Sequence, residues 1–148
     1  MDKKKILIVE DQPDGRELFV LFLTRLGYDV AEAQSGLEAI AQVHAARPDL
    51  ILMDLALPGG ITGDETTGRL KADPATCDIP VIVLTAFHTE SAHVQRAIAA
   101  GAAEILQKPV ASAVLKEVMC RYLPSDKPSG VESSPQASEP AAPGAVCR

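Results

Sequence analysis

Leu50-Ile51-Leu52-Met53-Asp54 is an apolar run that stops on a carboxylate. Four aliphatic residues in succession, without polar alternation, describe a strand covered on both faces, as in a parallel sheet flanked by helices. Two more aliphatic runs and one shorter segment also end on polar residues. Ile6-Leu7-Ile8-Val9 ends on Glu10-Asp11, Val81-Ile82-Val83-Leu84 ends on Thr85, and Glu104-Ile105-Leu106-Gln107 ends on Lys108-Pro109. In an open parallel sheet the C-terminal strand ends line one crevice, and ligands bind there. Three carboxylates, a hydroxyl and an ammonium would meet in it. That donor set suits a hard divalent cation and a phosphoryl group.

The intervening segments read as helices. Pro13 and Gly27 bracket a first helix over 14–26, with Leu18, Leu21, Phe22 and Arg25 at helical spacing and Leu18 and Phe22 directed at the sheet. Residues 28–33 form a second strand with Val30 inward. Ser35 and Glu38 make a capping box for a helix to about 46, with Leu37, Ile40, Ala41 and His44 along one side. A glycine-rich loop over 57–63 leads to a helix over 64–71, which Asp73-Pro74 breaks. Further helices are predicted over 90–100, closed by Gly101, and over 111–123, with Val114, Leu115, Val118, Met119 and Tyr122 at helical spacing. Five βα units in about 120 residues imply right-handed crossovers and an α/β, doubly wound parallel sheet.

After Leu123 the composition changes. Residues 124–148 are rich in Pro, Ser and Ala, with Val131 and Val146 as the sizeable aliphatics. Such a segment buries too little to offset its ordering entropy and is predicted to be disordered. The organisation is therefore a folded domain over 1–123 and a tail over 124–148. The tail carries two basic and three acidic residues, so it is not a charged interaction arm.

Composition narrows the function classes. Aromatics are 3% of 148 residues and Trp is absent, so the core must be aliphatic. The net charge of −6 gives a surface not drawn to nucleic acid or to anionic membrane. No apolar run approaches the roughly 18 residues that span a bilayer. The apolar stretch after the basic N-terminus ends at Glu10, too short for a signal peptide, so a cytoplasmic location is expected. Cys77, Cys120 and Cys147 are odd in number and lack metal-type spacing, so unpaired thiols are expected. His44 is read as a helix-surface residue, His88 as a loop residue near the site and His93 as part of the fourth helix, none of them catalytic. The Gly59-Gly60 loop lacks the Gly-Lys-Ser/Thr ending of a phosphate-binding loop.

The ordered set of Ile6 to Asp11, Asp54 within Leu52 to Pro58, Pro80 to Ala86 and Lys108-Pro109 resembles the response regulator receiver domain of bacterial two-component signalling. The resemblance covers about residues 3–123. It implies the flavodoxin-like (βα)5 fold with strand order 2-1-3-4-5. It also implies that Asp54 is the phosphoacceptor, and that Mg²⁺ is held by Asp11, Asp54 and the backbone carbonyl of Ala56, with Glu10 acting through water. Thr85 and Lys108 would bond phosphoryl oxygens, and a cis Lys108-Pro109 bond would aim the lysine. The implied partners are a histidine kinase or histidine phosphotransfer protein and an output protein meeting the face of the fourth helix, fifth strand and fifth helix. Such a chain catalyses only its own phosphorylation and dephosphorylation and is not a metabolic enzyme.

Several residues depart from the family pattern. The acid pair is Glu-Asp where Asp-Asp is commonest, and the loop between Pro58 and Gly63 is one residue longer than usual. Ile105 stands where the family often has an aromatic that rotates inward when the threonine moves. Ala56 and Phe87, two residues beyond Asp54 and Thr85, offer no polar side chain to orient an attacking water, which predicts slow loss of the phosphoryl group. One rival is a degenerate receiver that acts as a phosphorylation-independent interaction module. Another is a phosphatase of the haloacid dehalogenase type, but that class resembles Asp-x-Asp after the first strand, whereas Asp54 follows the third and is succeeded two places on by Ala56.

Overall fold

The computed structural model describes residues 3–57 and 60–124. Strands β1 (Lys5–Val9), β2 (Asp29–Ala33), β3 (Leu50–Asp54), β4 (Val81–Thr85) and β5 (Glu104–Gln107) alternate with helices α1 (Pro13–Arg25), α2 (Gly36–Ala45), α3 (Gly63–Ala72), α4 (Ala92–Ala100) and α5 (Ser112–Tyr122). The five strands form one sheet, all pairings parallel, in the order β2-β1-β3-β4-β5. This is the doubly wound α/β architecture that the apolar strands predict.

The pleat divides each buried strand between two cores. Leu7, Val9, Ile51, Met53, Val81 and Val83 pack on the side of Ala39, Val43, Leu70, Val94 and Ala97, which belong to α2, α3 and α4. Ile6, Ile8, Leu50, Leu52, Ile82 and Leu84 pack on the side of Leu23, Leu115, Val118 and Met119, which belong to α1 and α5. With helices on both faces, β3 and β4 are buried over their full length. Truncating a core residue such as Leu52 would cost about 2–5 kcal/mol.

The inner faces of two helices differ from the expected ones. Leu18 is 68% exposed, and the sheet side of α1 is formed by Leu23, with Phe19, Phe22 and Leu26 partly buried. On α2 the buried residues are Gly36, Ala39 and Val43, while Leu37 is exposed. A side chain at Gly36 would meet Thr66 Oγ1 and Ile61, so only glycine lets α2 approach α3 this closely. Tyr122 is half-buried and Val114 exposed on α5.

Local chemistry sets the helix ends. Ser35 Oγ accepts from the Glu38 amide at 3.1 Å and Glu38 Oε1 accepts from the Gln34 amide at 2.9 Å, a capping box displaced by one residue. Helix α4 begins two residues later than expected because Ser91 caps it, accepting from the Val94 amide. Gly27 and Gly101 follow α1 and α4 at positive φ, as helix-terminating glycines do. Cys120 is free and exposed, whereas Cys77 is not free, contrary to the expectation of unpaired thiols. Cys147, Pro58, Gly59 and all of the predicted tail except Pro124 lie outside the described residues.

Candidate functional site

Parallel pairing brings the expected residues to one end of the sheet. Val9 is in register with Met53, so Glu10 and Asp11 emerge beside Asp54. Asp54 is in register with Leu84, which sets Thr85 one residue further along β4. Thr85 pairs with Gln107, and Lys108 follows. The Lys108 amide also donates to the Thr85 carbonyl at 2.8 Å, extending that pairing beyond β5. The Lys108-Pro109 bond is cis, as the family resemblance implies.

A cleft of about 190 Å³ opens there, lined by Glu10, Asp11, Gln12, Asp54, Ala56, Ala86, Phe87 and Lys108. Glu10 is 1% exposed and Asp54 5% exposed. Carboxylates so deep are costly unless paired. Lys108 supplies the pairing, with Nζ 2.8 Å from Glu10 Oε1 and 3.4 Å from Asp54 Oδ2. The other Asp54 oxygen, Oδ1, accepts from the Ala56 amide at 3.2 Å. Thr85 is buried, and its Oγ1 accepts from the Phe87 amide at 2.9 Å. The structure thus brings Glu10, Asp11, Asp54, Ala56 and Lys108 around one cleft, with Thr85 on its β4 border.

The charges are unbalanced. Burial and then the neighbouring Glu10 push the Asp54 carboxyl up to about 6, against the pull of Lys108 and the Ala56 amide. Burial also opposes the charge on Lys108, yet its bonds to Glu10 and Asp54 outweigh that and hold its pKa above the ordinary lysine value. Three carboxylates face one ammonium. Single oxygens of Glu10, Asp11 and Asp54 lie within 4.8 Å of one another, close enough to share one cation. An all-oxygen acidic set at this spacing fits Mg²⁺ or another hard divalent ion.

Supporting contacts carry little signal in the sequence. Arg16 donates from Nη1 to the Glu10 carbonyl at 2.9 Å and from Nε to Glu32 at 2.9 Å, tying the acid-bearing end of β1 to β2. On α3, Asp64 is buried and receives Arg96 Nε from α4 at 2.9 Å. Burial opposes its ionisation, but the bonds from Arg96 and Thr62 hold its carboxyl below the usual carboxylate range. The ring of Phe87 stacks on that of His93. No periodicity or motif announces these long-range pairs.

The molecule is thus an open α/β sheet with an acidic cleft, a lysine and a hydroxyl at its C-terminal strand ends. Residues 6–119 match the family model of the response regulator receiver domain. The chain belongs to that family. It is 39% identical over 133 residues to the phosphate regulon transcriptional regulatory protein PhoB of Pseudomonas aeruginosa, covering 87% of this chain and 57% of that one. It is 36% identical over 120 residues to the polar-differentiation response regulator DivK of Brucella anthropi, covering 81% of this chain and 96% of that one. The chain thus spans little more than half the length of PhoB. Among solved structures, the receiver domain of the sensor histidine kinase PA1611 of Pseudomonas aeruginosa PAO1 matches with a TM-score of 0.76 and 31% identity, over 84% of this chain and all of that one. That structure holds a magnesium ion in its active site cleft. No helix among the described residues is long and apolar enough to cross a membrane.

Proposed function

We propose that this chain is a phosphoacceptor receiver. A histidine kinase or histidine phosphotransfer protein donates a phosphoryl group to Asp54, and the modified domain binds an output protein differently. The observation that carries this reading is Lys108 seated between Glu10 and Asp54 in a cleft that still holds excess negative charge. A degenerate interaction module would have no need to gather three carboxylates around one ammonium.

The chemistry follows from the positions. The donor phosphorus approaches an Asp54 carboxylate oxygen in line with the bond that breaks. The new O–P bond forms as the P–N bond to the donor imidazole breaks, and the departing nitrogen takes a proton from water. Lys108 leaves Glu10 to pair with a phosphoryl oxygen, and Thr85 Oγ–H donates to another. Asp11, Asp54 and the Ala56 carbonyl would hold Mg²⁺ directly, with Glu10 reaching it through water. The bound ion supplies charge cancellation between the attacking carboxylate and the phosphoryl oxygens. We assign no metabolic turnover to the chain, only its own phosphorylation and dephosphorylation.

The donor reaches Asp54 over the same rim. A groove of about 720 Å³ between α1 and α5 shares Glu10 and Lys108 with the cleft and is walled by Leu18, Phe19, Phe22, Val110 and Leu115. This apolar extension of the site accounts for the exposure of Leu18, and we place the docking of the protein donor there. Output contacts are assigned to α4, β5 and α5, and the chain to the cytoplasm. The test is to phosphorylate the chain with acetyl phosphate and Mg²⁺, reduce it with borohydride and sequence the peptides by mass. Conversion of Asp54 to homoserine is expected. An unmodified Asp54, or modification elsewhere, contradicts the reading.

A further inference from the structure

A chain of contacts joins Thr85 to the fourth helix through Phe87 and His93. The Phe87 amide donates to Thr85 Oγ1 at 2.9 Å, and Gln107 Nε2 donates to the Phe87 carbonyl. The Phe87 ring stacks on the imidazole of His93, with centroids 5.0 Å apart and the planes at 19°. His93 lies in the first turn of α4. Its Nδ1 is 3.2 Å from Arg96 Nη2 and 3.5 Å from Asp64 Oδ1. Asp64 Oδ2 is taken by Arg96 Nε, while its buried Oδ1 has no hydrogen-bond partner among the described residues.

One ring nitrogen cannot serve both neighbours. Without a proton, Nδ1 accepts from Arg96 and leaves Asp64 Oδ1 unmet. With a proton, it donates to Asp64 Oδ1 and gives up the Arg96 bond. At 3.2 Å from Arg96 Nη2 and 3.5 Å from Asp64 Oδ1, Nδ1 stands nearer to the first arrangement. A buried acceptor without a partner makes that arrangement costly, so the second lies close in energy. Two arrangements of His93 are thus open at the α3–α4 contact.

The geometry points to His93 as the relay through which phosphorylation of Asp54 moves α4, in place of an aromatic swing at position 105, where this chain has Ile105. The relay rests on the phosphoacceptor reading of Asp54. When Thr85 Oγ1 turns to a phosphoryl oxygen, the Phe87 amide loses its acceptor. Phe87 shifts and the stacked imidazole follows. The ring exchanges tautomers through water, losing the Nε2 proton and gaining one at Nδ1, and stays neutral. Nδ1–H then closes on Asp64 Oδ1 and frees Arg96 Nη2, while Arg96 Nε keeps Asp64 Oδ2. Asp64 is a fixed receiver, because a Cβ at its neighbour Gly63 would lie 2.2 Å from the Asp54 carbonyl oxygen, so that end of α3 sits directly on β3. Arg96, together with the exposed Ile98, then presents a changed α4 surface.

The test is nitrogen NMR of the His93 ring and of the α4 amides in full-length protein, before and after acetyl phosphate with Mg²⁺, with intact mass recorded on the same samples. In wild type the His93 Nδ1 signal should move from the acceptor to the protonated position and the amides of 92–100 should shift. His93→Ala removes the stack and the nitrogen, while His93→Phe keeps the stack and removes the nitrogen. Both should take the phosphoryl group as wild type does, with their α4 shifts reduced by half or more. Phosphorylated wild type with an unchanged His93 tautomer overturns the relay alone. So does a full α4 response in either variant. Absence of any mass gain in wild type overturns the phosphoacceptor reading and the relay with it.

Discussion

Lys108 Nζ stands 2.8 Å from Glu10 Oε1, nearer to the acid pair than to Asp54 Oδ2 at 3.4 Å. The lysine thus offsets part of the charge of Glu10 and Asp54, in the acidic cluster proposed to hold a metal ion. Lys108→Ala should destabilise the metal-free protein by about 1–3 kcal/mol, because Glu10 and Asp54 are left facing each other with no ammonium between them. The same variant should gain more from Mg²⁺ than wild type does, since its site carries one more negative charge. Thermal melting with and without Mg²⁺ checks both statements. Equal metal-induced shifts in the two proteins would count against the shared site.

The Asp54 carboxyl gives a pH signature. It titrates at about 6 in the folded chain, against about 3.9 for an unfolded aspartate. The folded state therefore holds this proton more tightly than the unfolded state. That contribution is fully present below about pH 4 and is lost as pH rises through about 6. Asp54→Asn cannot ionise and escapes the loss. In EDTA at pH 7.5 it should be more stable than wild type by about 1–2 kcal/mol, after allowance for solvent screening. At pH 4 the difference should vanish. Denaturant unfolding at the two pH values is the check, and a pH-independent difference would refute it.

Ala56 is exposed at the rim of the cleft, with its amide bonded to Asp54 Oδ1. Its methyl group cannot orient a water for attack on an aspartyl phosphate. The phosphorylated wild type should therefore decay slowly. Ala56→Gln, which adds a polar group at that rim, should speed decay by about ten-fold or more, in the range of a positioned acid–base group. Loss of the phosphoryl mass over time, after removal of the donor, measures it.

Gly63 begins α3 directly against β3. A Cβ there would lie 2.2 Å from the Asp54 carbonyl oxygen and 2.7 Å from Leu55 Cα, so backbone must move. Alanine favours a helix by about 1 kcal/mol over glycine, but overpacking costs about 1–3 kcal/mol, and the second effect should win. Gly63→Ala should lower the melting temperature and also slow phosphorylation, because the displaced strand end carries Asp54. A variant that melts lower yet phosphorylates at the wild-type rate would separate the packing from the site.

The fold was legible because its signal is local. Uninterrupted aliphatic strands such as Leu50 to Met53 can be satisfied only between two helical layers, and each strand end carries its polar residue in plain view. Helix faces were less legible. Leu18, Leu21 and Leu37 form apolar stripes that compete with the true inner residues Leu23, Ala39 and Val43, and they stay exposed at 49–68%. On α1, Leu18 faces the groove beside the site, so its apolar character reflects an external surface rather than the core. The Asp64–Arg96 ion pair and the Phe87–His93 stack could not be read at all, since they depend on how loops and helices meet across the sheet end. Glu10, Asp11, Asp54 and Lys108 converged as expected because parallel register alone carries them there.

Asp54 is proposed to accept a phosphoryl group with the help of a metal at Glu10 and Asp11. The most direct measurement is an intact-mass time course with acetyl phosphate, run on wild type and Asp54→Asn, each with Mg²⁺ and with EDTA. Wild type with Mg²⁺ should gain one phosphoryl group, and the other three samples should gain none. An equal gain in Asp54→Asn, or in wild type with EDTA, would contradict it, as would a wild type that binds no Mg²⁺ and never gains mass.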